Sequence, residues 1–272
     1  MSAQLRSIMA PPDDYADKRE NQGMQLKKRI KKWVIGVLIM SEIITSSALT
    51  ACGYRDQRQK EAEKLLADKY NEEFVVTSYN RQEIMQDYYT VSAYAKSHPT
   101  IPFEASVTED GTSVSDDYVS RRVCAAVSEH ININLTALPF TYYVHTGIMS
   151  GDSICSDPNV SVEEFATEWE PYNRYYVYLY LPEDISQSGA DAGQVYSVLA
   201  NALSDLPQIK GNLSVYVSDD DMLAKVSEYV ESNTGLYNDY FKMTQDDFRG
   251  QFDFENGSLA ITQSDVEALL SH

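Results

Sequence analysis

The chain has 272 residues, with 22 Lys+Arg against 41 Asp+Glu and a net charge of −19. That balance argues against nucleic acid as a partner, because phosphate binding needs a basic footprint. At 43% hydrophobic and 11% aromatic residues there is material for a sizeable core, which argues against global disorder, while four His and three Cys leave little for a zinc cage.

Residues 1–23 are polar and carry Pro11-Pro12, so they do not begin an export signal. From Met24 the chain reads MQLKKRIKKWVIGVLIMSEIITSSALTAC. The expectation is that the true start is Met24 and that residues 1–23 are an upstream extension. Lys27, Lys28, Arg29, Lys31 and Lys32 precede a largely apolar stretch from Trp33 to Leu49, the basic and apolar regions of a signal peptide. The cations favour the cytoplasmic side, and the apolar run can enter the bilayer as a helix. Only about nine residues near Trp33–Met40 are strongly apolar, and Glu42 would be costly at the bilayer centre, so the run suits a cleaved signal better than a permanent span. The alternative is an uncleaved anchor with Cys52 just outside.

Leu49-Thr50-Ala51-Cys52 at the end of this run resembles the lipobox of bacterial lipoproteins. Small residues at Thr50 and Ala51 suit a narrow peptidase site, and Leu49 suits its apolar pocket. The resemblance covers about 29 residues. It implies that residues 24–51 are a signal peptide, that Cys52 carries a diacylglycerol with palmitate-type chains, and that Cys52 becomes the first residue of a chain held on the extracytoplasmic face of the cell membrane.

Residues 1–51 hold eight of the cations but only five of the anions, which leaves 14 against 36 and a net charge of −22 beyond them. Such a body is repelled by anionic headgroups and stands off the membrane. Residues 52–60 read as a polar tether and residues 61–272 as one α+β body with sub-units at about 61–135 and 136–272.

In chain order, Glu61–Tyr70 has helical spacing, and Phe74–Tyr79, Tyr88–Ala95 and Pro102–Thr108 read as strands, the last closed by Glu109-Asp110-Gly111. Ser115-Asp116-Asp117 predicts the cap of a helix running to Ile131, giving an α-β-β-β-α unit. Phe140–His145 reads as a strand, residues 146–160 as a polar loop, and Ser161 with Glu164 as a capping box before a short helix. Arg174–Leu181, a helix over Ala190–Leu206, and Leu213–Val217 suggest a βαβ crossover with parallel strands. A helix from Ser218-Asp219-Asp220-Asp221, a hairpin about Asn256-Gly257, and a last helix capped at Ser264 complete a β-α-β-α unit and a mixed sheet.

Candidate chemistry is sparse. Cys124 and Cys155 are compatible with a disulfide closing a loop of about 30 residues, or with two thiols, Cys124 then acting as a small buried hydrophobe. Gly151-Asp152-Ser153 resembles the block of one esterase family, but the Asp-x-x-His partner is absent, since position 269 is Leu and His272 stands alone. Asp253–Gly257 and Asp219–Asp221 read better as a hairpin and a helix start than as cation sites. His98, His130 and His145 lack ligand spacing, so no metal and no cofactor is expected. Tyrosine is unusually frequent, at 20 residues, and Tyr176, Tyr178 and Tyr180 share one strand face, either packed beneath a helix or offered to a ligand.

These readings converge on a lipid-anchored, non-catalytic interaction or assembly module whose partners are the membrane, through Cys52, and an envelope protein. A lipoprotein binding a sugar, peptide or cation is the alternative, and an envelope hydrolase the remote one.

Overall fold

The computed structural model describes residues 56–80, 87–148, 155–170, 174–232 and 247–271. The leader, the Leu49-Thr50-Ala51-Cys52 motif and Ser153 lie outside them.

The first helix, α1, covers residues 56–70 and buries Ala62, Leu66 and Tyr70, one side chain per turn. It starts four residues earlier than Lys60, so most of the expected tether is helix. Beside it β1 (Phe74–Asn80), β2 (Tyr88–Ala95), β3 (Pro102–Thr108) and β4 (Val114–Asp116) form an antiparallel meander in chain order. Alternation decides which face is buried: Tyr89, Val91, Ala93 and Ala95 on β2, Phe103, Ala105 and Val107 on β3. The β3–β4 turn is held by Asp110, whose carboxylate accepts from the Thr108 hydroxyl at 2.7 Å and the Thr112 amide at 3.1 Å, while Gly111 takes φ +67°.

Strand β4 is where the sequence reading erred. Ser115 and Asp116 belong to a three-residue strand instead of a cap, too short to show alternation. Asp116 turns inward: it accepts from the Tyr70 hydroxyl at 2.7 Å, the Tyr118 amide at 3.1 Å and the Lys69 ammonium at 2.8 Å. Helix α2 (Tyr118–Leu135) then buries Tyr118, Val119, Val123, Val127, Ile131 and Leu135.

The second sheet holds β5 (Tyr143–Ile148), β6 (Tyr175–Pro182), β7 (Gly211–Ser218), β8 (Phe248–Glu255) and β9 (Ser258–Leu259), again in chain order. Among the described strands only β6 and β7 run parallel, joined through α4 (Ala192–Ala200), which is the expected crossover in a mixed sheet. Every residue of β7 is buried, as in strands covered on both faces. Tyr175, Val177, Leu179 and Leu181 face the cluster that includes Val123 and Val127 of α2 and Val195 and Leu199 of α4. On the other face Tyr178, Tyr180 and Tyr216 meet Leu223 and Val226 of α5 (Asp220–Ser232). At the start of the parallel pair, Gly211 opposes Tyr175, and a Cβ there would overlap the Tyr175 carbonyl.

Between β5 and β6, α3 (Val162–Glu164) is capped by Ser161, which accepts from the Glu164 amide at 3.1 Å, and it widens into a π-turn at Phe165–Trp169. The last helix, α6 (Gln263–Leu270), begins earlier than Ser264: Thr262 and Asp265 form a reciprocal capping box. Helix α4 is shorter than Ala190–Leu206, with residues 201–205 in turns. The chain from Arg58 onward clusters as one unit, and one set of buried side chains runs from α1 through α2 to the second sheet. The fold is α+β.

Candidate functional site

Helix α2 bridges the two sheets and leaves one flank uncovered. With the β2–β3 turn (His98 to Ile101) and the segment Tyr142–Thr146 it bounds a groove of about 1050 Å³. Its α2 wall runs from Arg121 to Thr136, roughly 22 Å at the helical rise of about 1.5 Å per residue. Ile133, in that wall, is 63% exposed.

Two cations stand at the N-terminal end of this wall. The Arg121 Nε donates to Asp117 at 2.7 Å, and the other Asp117 oxygen accepts from the Glu104 amide at 2.9 Å, so this arginine is fixed in place. Arg122 lies 5.9 Å from the centre of the Tyr118 ring and forms no ion pair among the described residues. Burial, then a hydrogen bond to Glu72, pushes the Tyr118 hydroxyl up to about 12, so it stays a neutral donor beneath the guanidinium. Arg121-Arg122 is the sole adjacent pair of cations beyond residue 51.

The floor is apolar and neutral. Val144 and Cys124 are buried, and desolvation pushes the Cys124 thiol up to about 12. His145, stacked on Tyr178 at 6.3 Å between ring centres, is pushed down to about 4 by burial and then by the nearby Arg121 charge. Thr146 is 2% exposed and its hydroxyl oxygen has no hydrogen-bond partner among the described residues.

The other candidates fall elsewhere. Cys124 and Cys155 are both buried thiols, so the disulfide is corrected. Cys124 is buried on α2, and Cys155 donates to the Asp157 carbonyl at 3.9 Å. Tyr178 and Tyr180 are 5% and 1% exposed beneath α5, and Tyr176 is half-buried at the edge of the same cluster, so this face packs the fold instead of greeting a ligand. His98 bonds Ser97 at 2.8 Å and His130 lies 3.5 Å from Asp205, on different elements from His145. Among the described residues no three His, Cys, Asp or Glu side chains gather as metal ligands. Asp219 caps α5 by accepting from the Met222 amide at 2.8 Å, and Asp253 pairs with Arg174 at 2.8 Å.

The sequence matches no family model and no curated protein. The fold is similar to the crystal structure of a DUF5037 family protein from Ruminococcus gnavus, with a TM-score of 0.57 at 16% identity, covering 78% of this chain and 98% of that one. The likeness is one of fold.

Proposed function

We propose that this protein is an extracytoplasmic lipoprotein, held on the membrane by diacylglycerol on Cys52 and acting as a non-catalytic interaction module of the cell envelope. The observation that carries it is the basic run, apolar run and Leu49-Thr50-Ala51-Cys52 motif in succession. Helix α1 is already formed at residue 56, four residues along the chain from Cys52. Four Cα steps of at most about 3.6 Å keep the folded body within roughly 14 Å of the acylated cysteine. Two or more acyl chains, at about 0.8 kcal/mol per buried methylene, make membrane residence durable. Burial pushes the Cys124 thiol up to about 12, so this residue is no thiolate nucleophile at neutral pH.

The test is mass spectrometry of the native chain together with fractionation of Cys52→Ala. The expected results are an N-terminal diacylglyceryl-cysteine and loss of C52A from membranes. An unmodified Cys52 with residues 24–51 still attached would overturn the anchor. Crosslinking in intact membranes, followed by pull-down, tests the module: a reproducible envelope partner is expected, and none would remove that half of the reading.

A further inference from the structure

We infer that α2, β5 and β6 enclose a binding site for one internal water molecule, held between the hydroxyls of Thr146 and Tyr175 and the thiol of Cys124. The inference goes beyond the interaction-module reading and stands or falls without it.

Strand pairing brings the groups together. Thr146 lies opposite Val177 and Ile148 opposite Tyr175, so Thr146 and Tyr175 are diagonal neighbours across β5 and β6. Cross-strand partners point to one face of a sheet, and so do residues two apart along a strand. Both side chains therefore lie on the face that α2 covers with Val123 and Val127. Diagonal neighbours stand about 7–8 Å apart, a span that one molecule between two side chains can bridge. Cys124 approaches from α2 and lines the groove floor beside Val144 and Thr146. Burial raises the Tyr175 hydroxyl above its ordinary range, and the proximity of Cys124 and then of Glu170 adds to it.

The protein itself leaves these groups unsatisfied. Thr146 and Tyr175 are 2% and 1% exposed, and neither hydroxyl oxygen has a hydrogen-bond partner among the described residues. Cys124 beside them is a buried free thiol. Folded proteins satisfy such groups with buried waters that make about three hydrogen bonds each. Three partners stand here: each hydroxyl both donates and accepts, and the thiol donates weakly.

Charge and size select the occupant. Burial pushes the Cys124 thiol up to about 12 and raises the Tyr175 hydroxyl as well, so all three groups are neutral at pH 7. Neutral partners do not offset the desolvation of an ion, and an apolar molecule would leave both hydroxyls unpaired. Both oxygens are closed off from bulk solvent, with Val144 and Val177 buried around them, so the site admits nothing larger than water. Its entry is the groove floor that Cys124 and Thr146 form.

The test removes each hydroxyl while keeping the side-chain shape: Thr146→Val, Tyr175→Phe and the double variant, in the full chain in detergent, unfolded with urea and followed by circular dichroism. A dry buried hydroxyl destabilises, so its apolar isostere raises the midpoint, whereas a hydroxyl bonded to water stabilises. The expected result is that T146V and Y175F each lower the urea midpoint. The double variant should fall no further than the worse single one, because the same molecule is lost in all three. Higher midpoints, or losses that add, overturn the site. A high-resolution crystal structure of the wild type gives a reading independent of the variants. A solvent peak within about 3.2 Å of both hydroxyls is expected there, and two hydroxyls with no peak between them overturn the inference.

Discussion

Asp116 is the side chain on which the first half of the molecule converges. It is 3% exposed, yet it binds Tyr70 of α1, Tyr118 at the head of α2 and Lys69. Removing it leaves two buried donors unsatisfied, and burial together with the Asp116 charge already raises the Tyr70 hydroxyl well above its ordinary range. Asp116→Ala is therefore expected to lower stability by about 3 kcal/mol, read as the urea midpoint at constant slope; a change below about 1 kcal/mol would contradict the arrangement. Asp116→Asn keeps an acceptor and should lose less. His145 offers a second test at this scale. Its folded pKa of about 4 lies below the usual 6.5, so as pH falls the unfolded chain takes up the proton first. Its contribution is full above pH 6.5 and is lost progressively down to about pH 4. Relative to His145→Gln, which removes that titration and shares all other groups, the wild type should lose about 2 kcal/mol between pH 7 and pH 5. Parallel pH profiles would show that the imidazole is not held neutral. Neither role was legible in the sequence: Asp116 read as a cap because Ser-Asp-Asp commonly is one, and nothing local distinguishes a histidine that ends up buried on β5 from one at the surface.

At the scale of elements, periodicity found the strands whose two faces differ. Strands β2 and β3 match their expected limits, Tyr88–Ala95 and Pro102–Thr108, because buried and exposed positions alternate along them. Strand β5 was displaced, expected at Phe140–His145 and found at Tyr143–Ile148, since Thr146 and Gly147 carry loop chemistry but are held by pairing with Val177 and Tyr176. The groove was not legible at all, because it forms only when a turn, a helix face and a strand start, all within residues 98–146, pack side by side. Helix α6 is a clean test of local chemistry: Thr262 accepts from the Asp265 amide at 3.2 Å while Asp265 accepts from the Thr262 amide at 2.8 Å. Thr262→Ala should cost about 1 kcal/mol. The hairpin turn before it is tighter. Asn256 and Gly257 both take positive φ, 54° and 74°, and a Cβ on Gly257 would come within 2.9 Å of the Ser204 carbonyl oxygen. Gly257→Ala should therefore cost more than the cap, at roughly 2 kcal/mol by the same measurement, and a smaller loss than T262A would contradict this ordering.

For the whole molecule, the net charge of −19 sets solution behaviour. Self-repulsion weakens the compact state, and salt screens it. Raising NaCl from about 10 mM to about 500 mM should lift the melting temperature by several degrees, and a fall would mean that the ion pairs, such as Arg58 with Glu61 and Glu109, outweigh the repulsion. The topology has a separate consequence for how the chain reaches its shape. Both sheets keep strict chain order, β1 to β4 and β5 to β9, so no late strand must be inserted between two that are already paired. Each new strand can join the growing edge as it leaves a ribosome or a membrane pore, which keeps loop-closure costs small and exposes one unfinished edge of each sheet at a time.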